Sequence, residues 1–171
     1  MIPKPPLLAV LSLLMWPSYA LTQTCQETIS ATASSKYFSN NDTNTLLDTR
    51  TNLIWSRCSI GQLWSGGKCV GSALLLTYIE ARNEARNQSV QEHLGWRIPT
   101  VSELSLMVEL SCHDPAVDLA LFPNTPSMSF WTSTRFVNKL KHHWLIQFRF
   151  GANHVDSDDN HAYLRLVRDA E

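Results

Sequence analysis

Four cysteines, Cys25, Cys58, Cys69 and Cys112, constrain this chain more than any other feature, because of what precedes them. The first twenty residues carry Lys4, an apolar run from Leu7 to Trp16, and Pro17-Ser18-Tyr19-Ala20 with small residues where a signal peptidase reads. That is the pattern of an export signal over residues 1–20, and export puts the cysteines in an oxidising compartment. An even number there favours disulfides over metal ligation or redox chemistry, and the sequence alone allows three pairings. The apolar run is about half the twenty or so residues that a bilayer span needs, and no later segment is apolar enough to cross one. Thr22-Gln23-Thr24, ahead of Cys25, lacks the apolar and small pattern of a lipidation site. The expectation is a mature protein that starts near Leu21 and works in the periplasm, at the cell surface or outside the cell.

What remains after cleavage is roughly 150 residues, the size of one domain with one hydrophobic core. The whole chain has 14 Lys plus Arg against 15 Asp plus Glu. A balance this even predicts no nucleic-acid partner. Residues 21–34 are rich in Ser and Thr and read as an irregular lead-in, with irregular chain continuing to about residue 47, apart from a short strand that Tyr37 and Phe38 could open. Leu53-Ile54-Trp55-Ser56 reads as a buried strand after turn chemistry at 48–52. From Ser72 onward, Leu74, Tyr78, Ala81 and Ala85 recur at helical spacing. Ile98 precedes Pro99 and is held extended. Thr100-Val101-Ser102-Glu103 then forms a capping box for a second helix carrying Leu104, Met107, Val108 and Leu110 to about Ser111. Beyond Phe122 the pattern turns strand-like, at 129–133, then at 144–150 with Trp144, Ile146, Phe148 and Phe150 on one face, and last at 163–167. Gly151-Ala152-Asn153 supplies a turn. Two helices in the first half and antiparallel strands in the second predict an α+β domain stabilised by disulfides.

Three tryptophan-centred strings carry a resemblance: Asp48-Thr-Arg-Thr-Asn-Leu-Ile-Trp-Ser-Arg-Cys58, Trp96-Arg-Ile-Pro-Thr-Val-Ser-Glu-Leu104, and Phe122-Pro-Asn-Thr-Pro-Ser-Met-Ser-Phe-Trp-Thr-Ser133. With Trp144–Gly151 and Leu164–Arg168 behind them, they make residues 35–171 resemble the C-terminal domain family of the Legionella collagen-like adhesin. The resemblance implies a C-type-lectin-like fold, related to that of the formylglycine-generating enzymes. It also bears on the disulfides: the family's local cysteine spacing, with the glycine-rich loop that lets neighbouring sulfurs meet, selects Cys58–Cys69 and leaves Cys25–Cys112. Within the shared strings, Trp55, Trp96 and Trp131 are expected in the core, each indole nitrogen with one partner. Asp48, Arg50, Arg97, Glu103 and Asn124 are expected to hold loops through hydrogen bonds and caps.

Between Leu119 and Val155 the chain has no acidic residue. Arg135, Lys139, Lys141 and Arg149, joined by His142 and His143, could form a cationic face for the sulfates or carboxylates of a polymer. The plainer reading is a solvated hairpin whose lysines keep its edge from pairing with another chain. Trp64, among the glycines of the disulfide loop, could stack on a sugar ring or meet a protein. Asp156-Ser-Asp-Asp-Asn160 has oxygen ligands at short spacing but lacks the glycine and distal glutamate of a calcium loop. It reads as a polar turn paired with Arg165 or Arg168. The histidines match no metal-site spacing, adjacent His142 and His143 point to opposite faces of a strand, and no metal or cofactor is expected. No nucleophile elbow or phosphate loop is present, so no catalytic residue is named.

The leading functional expectation is a non-enzymatic recognition or adhesion module for a polyanionic glycan or other surface polymer. The alternative is a protein-interaction or structural subunit of an envelope assembly, with the same face against an acidic partner protein. A metal-assisted hydrolase ranks third. Since the namesake adhesin's glycine-repeat stalk is absent, any oligomer would form through the domain itself.

Overall fold

Adjacent apolar residues set the architecture. Successive side chains of a strand point to opposite faces, and Leu53-Ile54-Trp55, Phe130-Trp131 and Leu145-Ile146 are buried at every position. Strands of this kind must be covered on both sides. The computed structural model describes residues 22–29, 37–40 and 44–170, and in them the apolar side chains divide into two core clusters. Leu53, Trp55, Phe130, Ile146 and Val167 join Leu104, Met107 and Phe122 in one. Ile54, Trp131, Leu145 and Leu166 join Leu76, Ala81, Ala85 and Trp96 in the other. The export signal expected over residues 1–20, and positions 21 and 30–34 of the expected lead-in, lie outside the described residues.

In chain order the elements are β1 (Thr24–Cys25), β2 (Phe38–Asn40), β3 (Thr45–Asp48), β4 (Leu53–Ser56), β5 (Leu63–Ser65), β6 (Lys68–Val70), α1 (Tyr78–Glu92), α2 (Val101–Ser105), β7 (Cys112–His113), β8 (Ser129–Arg135), β9 (His142–Gln147), β10 (Ala152–Ser157) and β11 (Val167–Asp169). All paired strands are antiparallel. One sheet has the order β10-β9-β8 and another β11-β4-β3-β2, while β1-β7 and β5-β6 form two-stranded ribbons. Mostly sheet, with two helices and two disulfides, the chain has the expected α+β character. The sheet, however, is not confined to the second half. Strands β1 and β3 fall where irregular chain was expected, β2 lies where Tyr37 and Phe38 could open a short strand, and β11 returns from the far end of the sequence to pair with β4.

Both disulfides form as expected. Cys58–Cys69 closes the β5-β6 hairpin, and Cys25–Cys112 links β1 to β7 across the register of that ribbon.

Helix α1 begins at Tyr78, with Thr77 as its cap. The Thr77 side chain accepts from the Glu80 N–H, and the Glu80 carboxylate accepts from the Thr77 N–H. Leu74, expected on the helix stripe, precedes that cap and is exposed. Helix α2 starts from the expected Thr100–Glu103 box but ends at Ser105, well short of Ser111. The chain is claimed by another partner there: Val108 bridges Val117, and the Glu109 N–H donates to the Ala116 carbonyl. Backbone groups used in that way cannot continue an i to i+4 ladder. Met107 and Val108 remain buried, whereas Leu110 is exposed. On β9 the expected face alternation holds through Phe148, but Phe150 is exposed because the chain turns over 148–151.

The shared strings lock these pieces together. Asp48, itself buried, accepts a bidentate pair from Arg50 at 3.0 and 2.9 Å. Arg97 holds Glu103 by two bonds, at 2.9 and 2.8 Å. Burial would raise the Glu103 carboxyl, yet the hydrogen bonds from Arg97 and Thr100 leave it lowered. Asn124 donates to the Cys69 carbonyl, tying the disulfide hairpin to the body. Trp131 and Trp96 each find an acceptor, at the Leu76 carbonyl and the Glu92 carboxylate. The Trp55 indole nitrogen is buried without one.

Candidate functional site

Three segments meet at one end of the β10-β9-β8 sheet. The connection between β8 and β9, residues 136–141, is closed by the Phe136 N–H donating to the His142 carbonyl at 2.9 Å. Lys141 there has φ 54°. The turn after β10 is pinned to this connection, the Asp158 N–H donating to the Lys141 carbonyl at 2.9 Å. The start of α1 is pinned to the same turn, the Tyr78 N–H donating to the Asp158 carbonyl at 3.0 Å. Between them lies a cavity of about 800 Å³.

Arg135, Lys139, Lys141, His142 and His143 all line this cavity, so five of the seven residues singled out from the sequence are brought together. Arg82, on the first turns of α1, adds a cation that the local charge pattern did not reveal. Among the described residues, no carboxylate lies within ion-pairing distance of Arg82, Arg135, Lys139 or Lys141. Asp158 and Asp159 share the wall, leaving cations in excess.

The floor is a polar stack. His143 is 3% exposed, its Nδ1 lies 2.6 Å from the Asp158 carboxylate, and its ring stacks on Tyr78 with centroids 3.6 Å apart. Taking Nδ1 as the protonated nitrogen, which donates to Asp158, leaves Nε2 as an acceptor, and that atom is buried without a partner. Burial raises the Tyr78 hydroxyl above its ordinary range, with Arg82 and Arg135 pulling it down and Asp158 pushing it up. His142, on the same cavity, bonds the Leu140 carbonyl at 2.9 Å.

Arg149 does not join this group. It sits in the turn at the other end of β9, where it pairs with Asp114 at 3.2 Å and covers the Phe150 ring. Trp64 is elsewhere too, half-buried on β5 beneath the Arg57 guanidinium, 4.9 Å from the ring centroid. It lines a second cavity of about 540 Å³ together with Trp96, Glu84, Gln88 and Glu92.

The run 156–160 is a polar turn, but not one paired with Arg165 or Arg168. Asp156 accepts from the Ser157 N–H and the Asn160 amide, and Asp158 is taken by His143. Arg165 is buried against backbone carbonyls of the β4 end, and Arg168 lies over Trp96. His154 meets Ser129 at 3.3 Å. Among the described residues no group of three or more His, Cys, Asp or Glu side chains is placed to hold a metal ion. All four cysteines are bridged, which leaves no thiol. What the site can do chemically is attract and seat anions, with one buried acceptor at its floor.

A family model described as the Lcl C-terminal domain matches residues 44–168. No curated protein and no solved structure matches the chain.

Proposed function

The chain belongs to the Lcl C-terminal domain family, and from that premise we propose an exported, non-enzymatic recognition module that takes a polyanionic glycan or similar surface polymer at the cavity around Arg82, Arg135, Lys139 and Lys141. The observation that carries this reading is the gathering of these four cations on one cavity with, among the described residues, no carboxylate at ion-pairing distance from any of them. Such a cluster attracts sulfates or carboxylates, and ion pairs at its exposed rim are screened by salt. The family, named for an adhesin's terminal domain, fits the same role. Two disulfides and the absence of a helix able to cross a membrane among the described residues agree with export. The C-type-lectin-like fold belongs to this proposal as well, supported by the pairing of β11 from the end of the chain with β4 from its first half.

Immobilised heparin tests it. Protein recovered after export is expected to be retained at low ionic strength and to elute with salt. Arg135→Glu/Lys139→Glu/Lys141→Glu should pass straight through, while Arg149→Glu, at the far turn, should behave like the unchanged protein. If the unchanged protein flows through, the glycan reading fails and an acidic envelope protein becomes the better occupant.

A further inference from the structure

The rim of the same cavity carries a feature that a hydrated polyanion does not use. Val137 is 91% exposed and Leu140 is 92% exposed, and Ile79 on the facing wall is 57% exposed. Val137 and Leu140 project from the β8-β9 connection, and none of the three belongs to either core cluster. A single exposed aliphatic side chain needs no explanation. Three around one opening, interleaved with Arg82, Arg135, Lys139 and Lys141, are a different matter.

A partner for this rim must offer negative charge to the cations and, a few ångströms deeper, apolar matter to the tips. A soluble sulfated chain offers only the first. An anionic bilayer offers both: phosphates at the headgroup level for Lys and Arg, and hydrocarbon just beneath for aliphatic tips. Asp158 and Asp159 face the same opening. Asp158 is engaged by His143, so the four cations still outweigh the carboxylates.

We infer that residues 136–141 are a membrane-docking element, in which Val137 and Leu140 enter the interface of an anionic lipid surface while Arg135, Lys139 and Lys141 meet its phosphates. This goes beyond the glycan reading, sharing its cations but adding side chains that reading leaves idle. It requires no membrane-spanning segment.

Vesicle sedimentation tests the inference. The protein recovered after export is expected to pellet with vesicles of phosphatidylcholine mixed with phosphatidylglycerol and to remain in solution with phosphatidylcholine alone. Val137→Ser/Leu140→Ser should weaken pelleting by about tenfold or more, yet leave circular dichroism and heparin retention unchanged, since both side chains lie outside the cores. Val137→Trp should emit at shorter wavelength when phosphatidylglycerol vesicles are added. Undiminished pelleting of the double serine variant overturns the inference, as does an unshifted Val137→Trp emission. Self-association that the serine variant abolishes, without vesicle binding, also overturns it, in favour of a second copy of the chain. Loss of heparin retention with vesicle binding intact would sink the glycan reading alone.

Discussion

Arg165 is 1% exposed and, among the described residues, has no carboxylate within ion-pairing distance. Its guanidinium donates to the carbonyls of Ser56 and Arg57 and to the hydroxyls of Ser59 and Thr125, and it lies 4.9 Å over the Phe122 ring. Burial lowers its pKa from the ordinary guanidinium value to about 9, so it still carries its charge at neutral pH. It acts as a rivet, filling acceptors that β4 leaves open where that strand ends. Arg165→Met would keep the apolar stem and strand those acceptors, and each orphaned buried group costs about 1–3 kcal/mol. Relief from burying a charge offsets part of this. The expected net loss is about 2–3 kcal/mol, read as a lower urea midpoint with an unchanged slope. From the sequence, Arg165 or Arg168 is expected to pair with the carboxylates of the 156–160 turn. The segment around Arg165 is instead irregular and buried, with Leu164, Arg165 and Leu166 all at 2% exposure or less, which puts the guanidinium against backbone carbonyls rather than beside those aspartates. The candidate site shows the same boundary of legibility. Lys139, Lys141 and His142 are neighbours in sequence and announce themselves by the missing acids around them. Arg82 is legible only once α1 has been packed against β9, and Arg149, close to the others in sequence, is carried away from them by the turn after β9, where it pairs with Asp114.

At the scale of elements, local chemistry was readable and long-range competition was not. The Thr100–Glu103 box stands out after Pro99, and the helix begins there. Thr77 and Glu80 have the same spacing and cap α1, but apolar periodicity starting from Leu74 drew the boundary too early. No local signal could say that Val108 would leave α2 to bridge Val117. The turn between β9 and β10 depends on Gly151, at φ 72°, where an added Cβ would collide with the Val108 side chain. Gly151→Ala therefore combines backbone strain with a clash in a tight core. We expect a loss of about 2–3 kcal/mol, seen as a melting temperature lower by roughly 5–10 °C. Gly95→Ala is the control, since its φ is ordinary and nothing lies within 4 Å of the new carbon. It should melt within about a degree of the unchanged protein.

For the whole molecule, the fold class was within reach of the sequence, because capping boxes and apolar runs are local marks, and the disulfide pairing came within reach through the family resemblance. The four-stranded sheet was not, since nothing near Val167 specifies that its partner is Trp55. That pairing matters to both cores: Val167 belongs to one cluster and Leu164 and Leu166 to the other, all at 2% exposure or less. Deleting residues 164–171 should yield a chain that lacks cooperative unfolding in urea. Deleting Glu171 alone should leave the transition where it was. The same closure has a bearing on synthesis. Because a ribosome builds the chain from its amino end, both interiors stay unsealed until Leu164, Leu166 and Val167 have emerged. A nascent chain that stops short of them leaves apolar surface uncovered.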